Sequence, residues 1–98
     1  MLFRSYRSIG DVLGEANCIQ GLGEIALDRS DPEAARSRFD EALQLYCQLG
    51  EPYSVGVAHR SSARAAASPE AQQHHLAEAR RAWESIGRHD LIAKWLRD

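Results

Sequence analysis

One block of this chain occurs twice. Residues 31–50, DPEAARSRFDEALQLYCQLG, lie without a gap over residues 68–87, SPEAQQHHLAEARRAWESIG, at an offset of 37. Pro32 falls on Pro69, Glu33 on Glu70, Ala34 on Ala71 and Phe39 on Leu76. Glu41 then falls on Glu78, Ala42 on Ala79, Tyr46 on Trp83, Leu49 on Ile86 and Gly50 on Gly87. Apolar size and turn chemistry repeat together. A period of roughly 20–50 residues marks a chain built from one supersecondary unit, each copy too small to bury its own apolar face.

Each copy predicts a helix with its start and stop written in. Asp31 or Ser68 is placed to cap the first turn, Pro follows at the first helical position, and an acid follows that. The stripe Ala35, Phe39, Ala42, Leu43, Tyr46 and Leu49 has helical spacing. Gly50 and Gly87 stand where a left-handed residue ends a helix. The segment MLFRSYRSIG matches EALQLYCQLG in register, Tyr6 on Tyr46 and Gly10 on Gly50. Residues 1–10 are therefore expected to be the end of a truncated second-type helix (B).

Between these helices lie partner helices of the first type (A). One starts at Asp11 with Val12, Ala16, Ile19, Leu22, Ile25 and Ala26 apolar; the other has Pro52 near its start and ends before Ser68 and Pro69. DLIAKWLRD opens a further helix with Leu91, Ile92, Trp95 and Leu96. Short loops make neighbouring helices antiparallel. The expected fold is all-α: a single domain over 1–98, with repeat 1 at 11–50, repeat 2 at 51–87 and a further or capping helix at 88–98.

Ile19, Leu22 and Gly23, followed by Ala35, Phe39 and Ala42, resemble the tetratricopeptide repeat: a large residue, Leu-Gly, then Ala-x3-Phe-x2-Ala. The longer period and the phrase IGDVLGEANCIQGLGEIAL resemble the repeats of roughly 40 residues found in spindle-orientation scaffolds and in regulators that carry an NTPase switch beside the array. The first helix of repeat 2 departs from the pattern, since Arg64 and Ala65 stand in place of Leu-Gly. The resemblance implies antiparallel helix hairpins stacked as a short right-handed superhelical solenoid. Small Gly23 and Ala35 would let the helices of a hairpin approach, and Phe39 would fill the gap between hairpins.

The residues carry no catalytic arrangement. Gly21 and Gly23 precede no Lys-Ser/Thr and follow no strand, so they form no phosphate loop. Ser61 and Ser62 follow His59 and Arg60 but belong to no nucleophile elbow. His74 and His75 are neighbours, pointing about 100° apart on a helix, and no third metal ligand accompanies them. The expectation is no enzyme, no metal and no cofactor. Phe3, Tyr6, Phe39, Tyr46, Trp83 and Trp95 stand in core phase.

Charge gives no pull toward nucleic acid or anionic membrane, because the net value is −2. Residues 11–50 carry eight acids and three bases, so −5, while residues 51–98 carry six acids and seven bases, so +1. Arg80, Arg81 and Arg88 gather toward the end of the second helix of repeat 2, where cations complement the dipole. Cys18 and Cys47 form no CxxC pair and read as small core residues in a reducing compartment. No apolar run has membrane-spanning length and no signal peptide is legible, so a cytoplasmic location is expected.

What remains is binding. In tetratricopeptide arrays the first helix of each hairpin lines the concave face. The resemblance therefore implies a partner groove formed by Asn17, Gln20, Glu24 and Asp28 from one helix, and His59, Ser62 and Ala66 from the next. The family's Asn before Leu-Gly, which clamps peptide backbone, is here Gly21. Glu24 and Asp28 make the floor acidic, suited to a basic or amide-rich segment. The implied function is a protein-interaction module for a peptide or partner domain. The alternative is a sensor fragment of a larger NTPase-switch or transcription regulator. Apolar residues at both ends (Leu2, Phe3 and Tyr6; Leu91, Ile92, Trp95 and Leu96) imply self-association through the terminal helices.

Overall fold

The computed structural model describes residues 8–96. Five helices follow one another: α1 (Ile9–Asp28), α2 (Pro32–Leu49), α3 (Pro52–Arg64), α4 (Pro69–Glu84) and α5 (His89–Trp95). No strand occurs among the described residues. No helix is long and apolar enough to cross a membrane.

The starts of the helices follow from local chemistry. Asp31 and Ser68 accept hydrogen bonds from the amides of Ala34 and Ala71, at 3.2 and 3.1 Å. Glu51 does the same for Ser54 at 3.0 Å. Each is followed by Pro, whose missing N–H is no loss at that position. Helix α1 begins at Ile9, two residues before the expected Asp11, because the Ser8 hydroxyl accepts from the Asp11 amide at 3.0 Å. Gly10 therefore lies in the first turn of α1 rather than ending a preceding helix. The expected truncated helix over 1–10 otherwise falls on residues outside those described.

Three helices stop by one device. A residue one to three positions past the helix turns left-handed, and the next amide bonds back to the carbonyl five residues earlier. Gly50 (φ 65°) and Gly87 (φ 70°) serve α2 and α4; the bonds run from Glu51 to Tyr46 at 3.1 Å and from Arg88 to Trp83 at 2.9 Å. Helix α1 uses Ser30 (φ 62°), with Asp31 bonded to Ala26 at 2.9 Å. Helix α3 ends without this turn, and residues 65–68 carry the chain into α4.

The pairing of named residues fixes the helix directions. Gly23 meets Phe39 near the α1–α2 loop, whereas Asn17 meets Tyr46 at the far end, so α1 and α2 are antiparallel. Ala35 and Phe39 cluster with Ala65, and Ala42 and Tyr46 with Ala58, which makes α3 antiparallel to α2. The Arg36 guanidinium donates to the Ala65 carbonyl at 2.7 Å and fastens the end of α3. Against α4, Gly56 meets Trp83 while His59 meets His75, the same sense again.

Two close approaches carry the packing. A Cβ on Gly23 would lie 2.5 Å from the Phe39 ring, and one on Gly56 would collide with the Trp83 indole. Only glycine admits these rings. Phe39, Tyr46 and Trp83 are the largest fully buried side chains, as core phase predicts. A third cluster joins Ala79 and Trp83 to Leu91, Ile92 and Leu96, and so docks α5.

Three expectations change. Leu22 and Ile25 are 47% and 49% exposed, because the buried stripe of α1 runs through Ala16, Ile19, Gln20 and Gly23. At about 100° per residue Ile25 falls opposite that stripe and Leu22 well off it. Cys18 and Cys47 are exposed, not core, each standing beside a buried residue (Ile19, Tyr46) and turned away from it. Trp95 is 42% exposed because Leu91, Ile92 and Leu96 take the inner face of α5. Phe3 and Tyr6 lie outside the described residues.

Candidate functional site

Helices α1 and α3 meet through polar side chains. The Gln20 amide donates to the Ser61 hydroxyl at 2.8 Å and to the Glu24 carboxylate at 3.1 Å. Ser61 donates to the same carboxylate at 2.9 Å, and Arg64 pairs with its other oxygen at 3.3 Å. Residues 20 and 24 thus meet 61 and 64 in order, so α1 and α3 run parallel, as alternate helices of an up-down series must. The seam is buried at Gln20 and Ser61 and opens to solvent at Glu24 and Arg64.

The groove residues expected from sequence divide accordingly. Gln20 and Glu24 come together, though as partners of Ser61 and Arg64 rather than as free ligand contacts. Asn17 is exposed, and its carbonyl oxygen accepts from the Tyr46 hydroxyl at 2.6 Å. Burial, reinforced by the negative charge of Glu51, holds that phenol above its ordinary pKa. Asp28 is exposed at the end of α1. His59 and Ser62 are buried, the Ser62 hydroxyl without a hydrogen-bond partner among the described residues, and Ala66 is half-buried. Buried side chains present little surface to a partner, so Gln20, His59 and Ser62 shape the site from beneath.

His59 reaches across to α4, where its Nδ1 lies 3.0 Å from the Nδ1 of His75. One ring must donate and the other accept, so the contact needs at least one neutral imidazole. His74 stands edge-on to both, with ring centres 6.4 Å from His59 and 5.3 Å from His75. Burial lowers the pKa of His59, His75 and His74 lower it further, and Glu78 and Asp40 oppose them. His75 is lowered for the same first reason. Among the described residues no group of three or more His, Cys, Asp or Glu is arranged to hold a metal ion. Sequence adjacency singles out His74 and His75; the pairing with His59 needs the register of α3 on α4, which the repeat alignment does not supply.

The other side of α3 carries a feature not legible in the sequence. A cavity of about 180 Å³ is lined by Tyr53, Val57 and Arg60 from α3, Trp83 from α4, and Leu91 and Trp95 from α5. The Trp83 indole N–H is already committed to the Tyr53 carbonyl at 3.0 Å. The Arg60 guanidinium lies over the Trp95 ring, 4.1 Å from its centre, and the Lys94 ammonium lies 4.9 Å from the same ring. Burial lowers the Arg60 pKa, Arg64 adds to this, and Glu24 opposes it. At the start of α5, Arg88 pairs with Asp90 at 2.9 Å. That hydrogen bond is the main reason the Asp90 carboxyl is held down to about 2. The expectation of a buried Trp95 hid this site, since exposure of one residue on a short helix leaves no periodic trace.

Arg60 and Arg64 are one turn apart on α3, so they share a face. One reaches α1 through Glu24 and the other α5 through Trp95. The seam and the cavity are therefore two ends of one surface. Compared with known protein families, with characterised proteins and with solved structures, the chain matches none.

Proposed function

We propose that this chain is a protein-interaction module. Its helix hairpins are of the tetratricopeptide kind, stacked as a short right-handed superhelical solenoid, and a peptide or partner domain lies on the concave face shared by α1, α3 and α5. The observation that carries the reading is the pair of arginines one turn apart on α3, joined to α1 on one side and α5 on the other. They make a surface from alternate helices, the arrangement a repeat array offers a ligand. Exposed Tyr53 and Trp95 on that surface add the large, stiff side chains that interfaces favour.

Site-specific photo-cross-linking tests the reading. A photoreactive residue at Asn17 or Tyr53 captures a partner from cell extract, whereas one at Gln44, exposed on α2, does not. Equal labelling from both faces would reject the assigned surface.

A further inference from the structure

We propose that the α3–α5 end of this face docks an acidic-apolar segment of a partner protein. An apolar side chain enters the cavity between Tyr53 and Trp95, and a neighbouring carboxylate meets the Arg60 guanidinium, with Lys94 beside it. The inference rests on the interaction-module reading and specifies the chemistry of its partner.

The cavity is the right size for one side chain. At about 180 Å³ it exceeds the apolar cavity of about 150 Å³ that accepts a benzene ring. Val57, Trp83 and Leu91 give it an apolar floor, and the Trp83 N–H is already bonded, so an apolar side chain would strand no donor there.

Charge selects the neighbour. Arg38, Arg64, Arg81 and Arg88 each pair with a carboxylate. Among the described residues Arg60 forms no ion pair, although it is half-buried and has Arg64 one turn away. A half-buried cation beside another cation is stabilised by an incoming anion. The Arg60 guanidinium carbon sits 4.1 Å over the Trp95 ring, and a guanidinium held there offers an N–H fork that the two oxygens of a carboxylate match. Lys94 adds a second positive charge at the same ring. The acidic floor expected from Glu24 is already neutralised by Arg64, so this end of the face is positive. Nucleic acid is the poorer fit, because the chain is net negative and the site offers two cations, Arg60 and Lys94, that form no ion pair among the described residues, rather than a stripe.

The test is selection from a displayed random-peptide library on the full chain, followed by titration of the winning peptides. Asp or Glu beside Leu, Ile or Phe is expected to be enriched. Arg60→Gln and Trp95→Ala should each weaken the selected peptides by about tenfold or more, as loss of a charge-assisted hydrogen bond or of the stacked wall requires. Lys94→Gln should weaken them less, and Arg80→Gln on α4 not at all. Circular dichroism confirms that the variants fold; Lys94→Gln and Arg60→Gln keep the comparison should Trp95→Ala unfold. Enrichment of basic or neutral peptides, or affinities unmoved by Arg60→Gln, would overturn this inference and leave the module reading intact. Single-stranded DNA binding lost in Arg60→Gln, or a concentration-dependent dimer lost in Trp95→Ala, would overturn it too by naming another occupant. Failure to enrich any peptide would sink the module reading itself.

Discussion

The two hairpins hold together by the same trick at opposite ends. In α1–α2 the close approach is Phe39 on Gly23, next to the loop that joins the helices. In α3–α4 it is Trp83 on Gly56, at the end away from the loop. Repeat register explains how. Trp83 is the counterpart of Tyr46, whose neighbour on α1 is Ala16; Leu76 is the counterpart of Phe39. Where the second-type helix gains ring size, from Tyr46 to Trp83, the first-type helix gives up its methyl, from Ala16 to Gly56. Where it loses a ring, from Phe39 to Leu76, the 40-residue offset that carries Ala16 to Gly56 carries Gly23 to Ala63, rather than to the Ala65 that the Leu-Gly pattern picks out. The summed bulk is conserved at each level although no residue is. A repeat can therefore drift in sequence while the volume its paired side chains fill stays the same, as dense packing demands.

Removing the two rings breaks this comparison most severely. Trp83→Ala and Phe39→Ala should each cost about 3–5 kcal/mol, comparable with the whole stability of a small domain. Trp83→Ala should cost more, since it removes the larger ring and the indole's hydrogen bond to the Tyr53 carbonyl as well. The two should differ in reach. Trp83 sits among Ala79, Leu91, Ile92 and Leu96, so its loss frees α4 and α5 first. Phe39 joins Ala35 to Ala65, so its loss loosens both hairpins. Amide hydrogen exchange resolves the two patterns; identical protection loss in both variants would show that the clusters act as one unit.

The next effect is subtler and sharpens the volume argument. Gly23→Ala and Gly56→Ala should each destabilise by about 1–3 kcal/mol through overpacking, against alanine's better helix propensity. Gly56→Ala combined with Trp83→Tyr rebuilds the Ala16–Tyr46 pairing in the second hairpin. The double variant should then be more stable than the sum of its two single changes. Strict additivity in thermal melts would mean the two positions do not compensate one another.

Much of this fold is legible in the sequence because its signals are local. Asp31-Pro32 and Ser68-Pro69 start helices, Gly50 and Gly87 end them, and the 37-residue offset aligns the buried Phe39, Ala42, Tyr46, Ala79 and Trp83. What is not legible depends on registers between distant segments. Gln20 finds Ser61 across 41 residues, and nothing in either helix announces it. Ser30 takes the left-handed turn that the other two ends give to glycine, so a search for glycine overlooks it. Trp95 reads as core because seven residues of α5 are too few for a stripe to distinguish an inner face from a rim. The cavity beside it, and hence the Arg60 site, follows from that one misplacement.

Acid should divide the hairpins as well. All four histidines lie in residues 51–98, and His59 and His75 touch across α3 and α4. Both have folded-state pKa values lowered mainly by burial, with His74 adding to the lowering and Asp40 from α2 and Glu78 from α4 opposing it. Below the unfolded value of about 6.5 the unfolded chain binds more protons than the folded one. Their contribution is thus complete above that pH and is lost as pH falls from it toward the lower folded values. The melting midpoint should fall between about pH 7.5 and about pH 5.5, and His59→Asn, which keeps a hydrogen-bonding group but cannot titrate, should flatten the fall. A pH profile unchanged by His59→Asn would remove this pair as its source.

The smallest effect has the opposite sign and comes from two glycines two residues apart on α1. Gly23 faces the Phe39 ring, whereas a Cβ on Gly21 would meet nothing within 4 Å. Both carry the same backbone entropy cost in a helix, so Gly21→Ala should stabilise by about 0.4–1 kcal/mol while Gly23→Ala destabilises. The difference between the two isolates the cost of displacing one aromatic ring, with helix propensity cancelled. Chemical denaturation at equal slope reads both values directly. Gly21 is also the residue before Leu-Gly, the position at which several of the tetratricopeptide scaffolds that the sequence resembles place a backbone-clamping Asn. A gain in stability with unchanged peptide affinity would assign binding to the Arg60 end of the face. A loss of stability at Gly21→Ala would instead mean that something covers this side of α1, and would point to an occupied surface where the structure shows an open one.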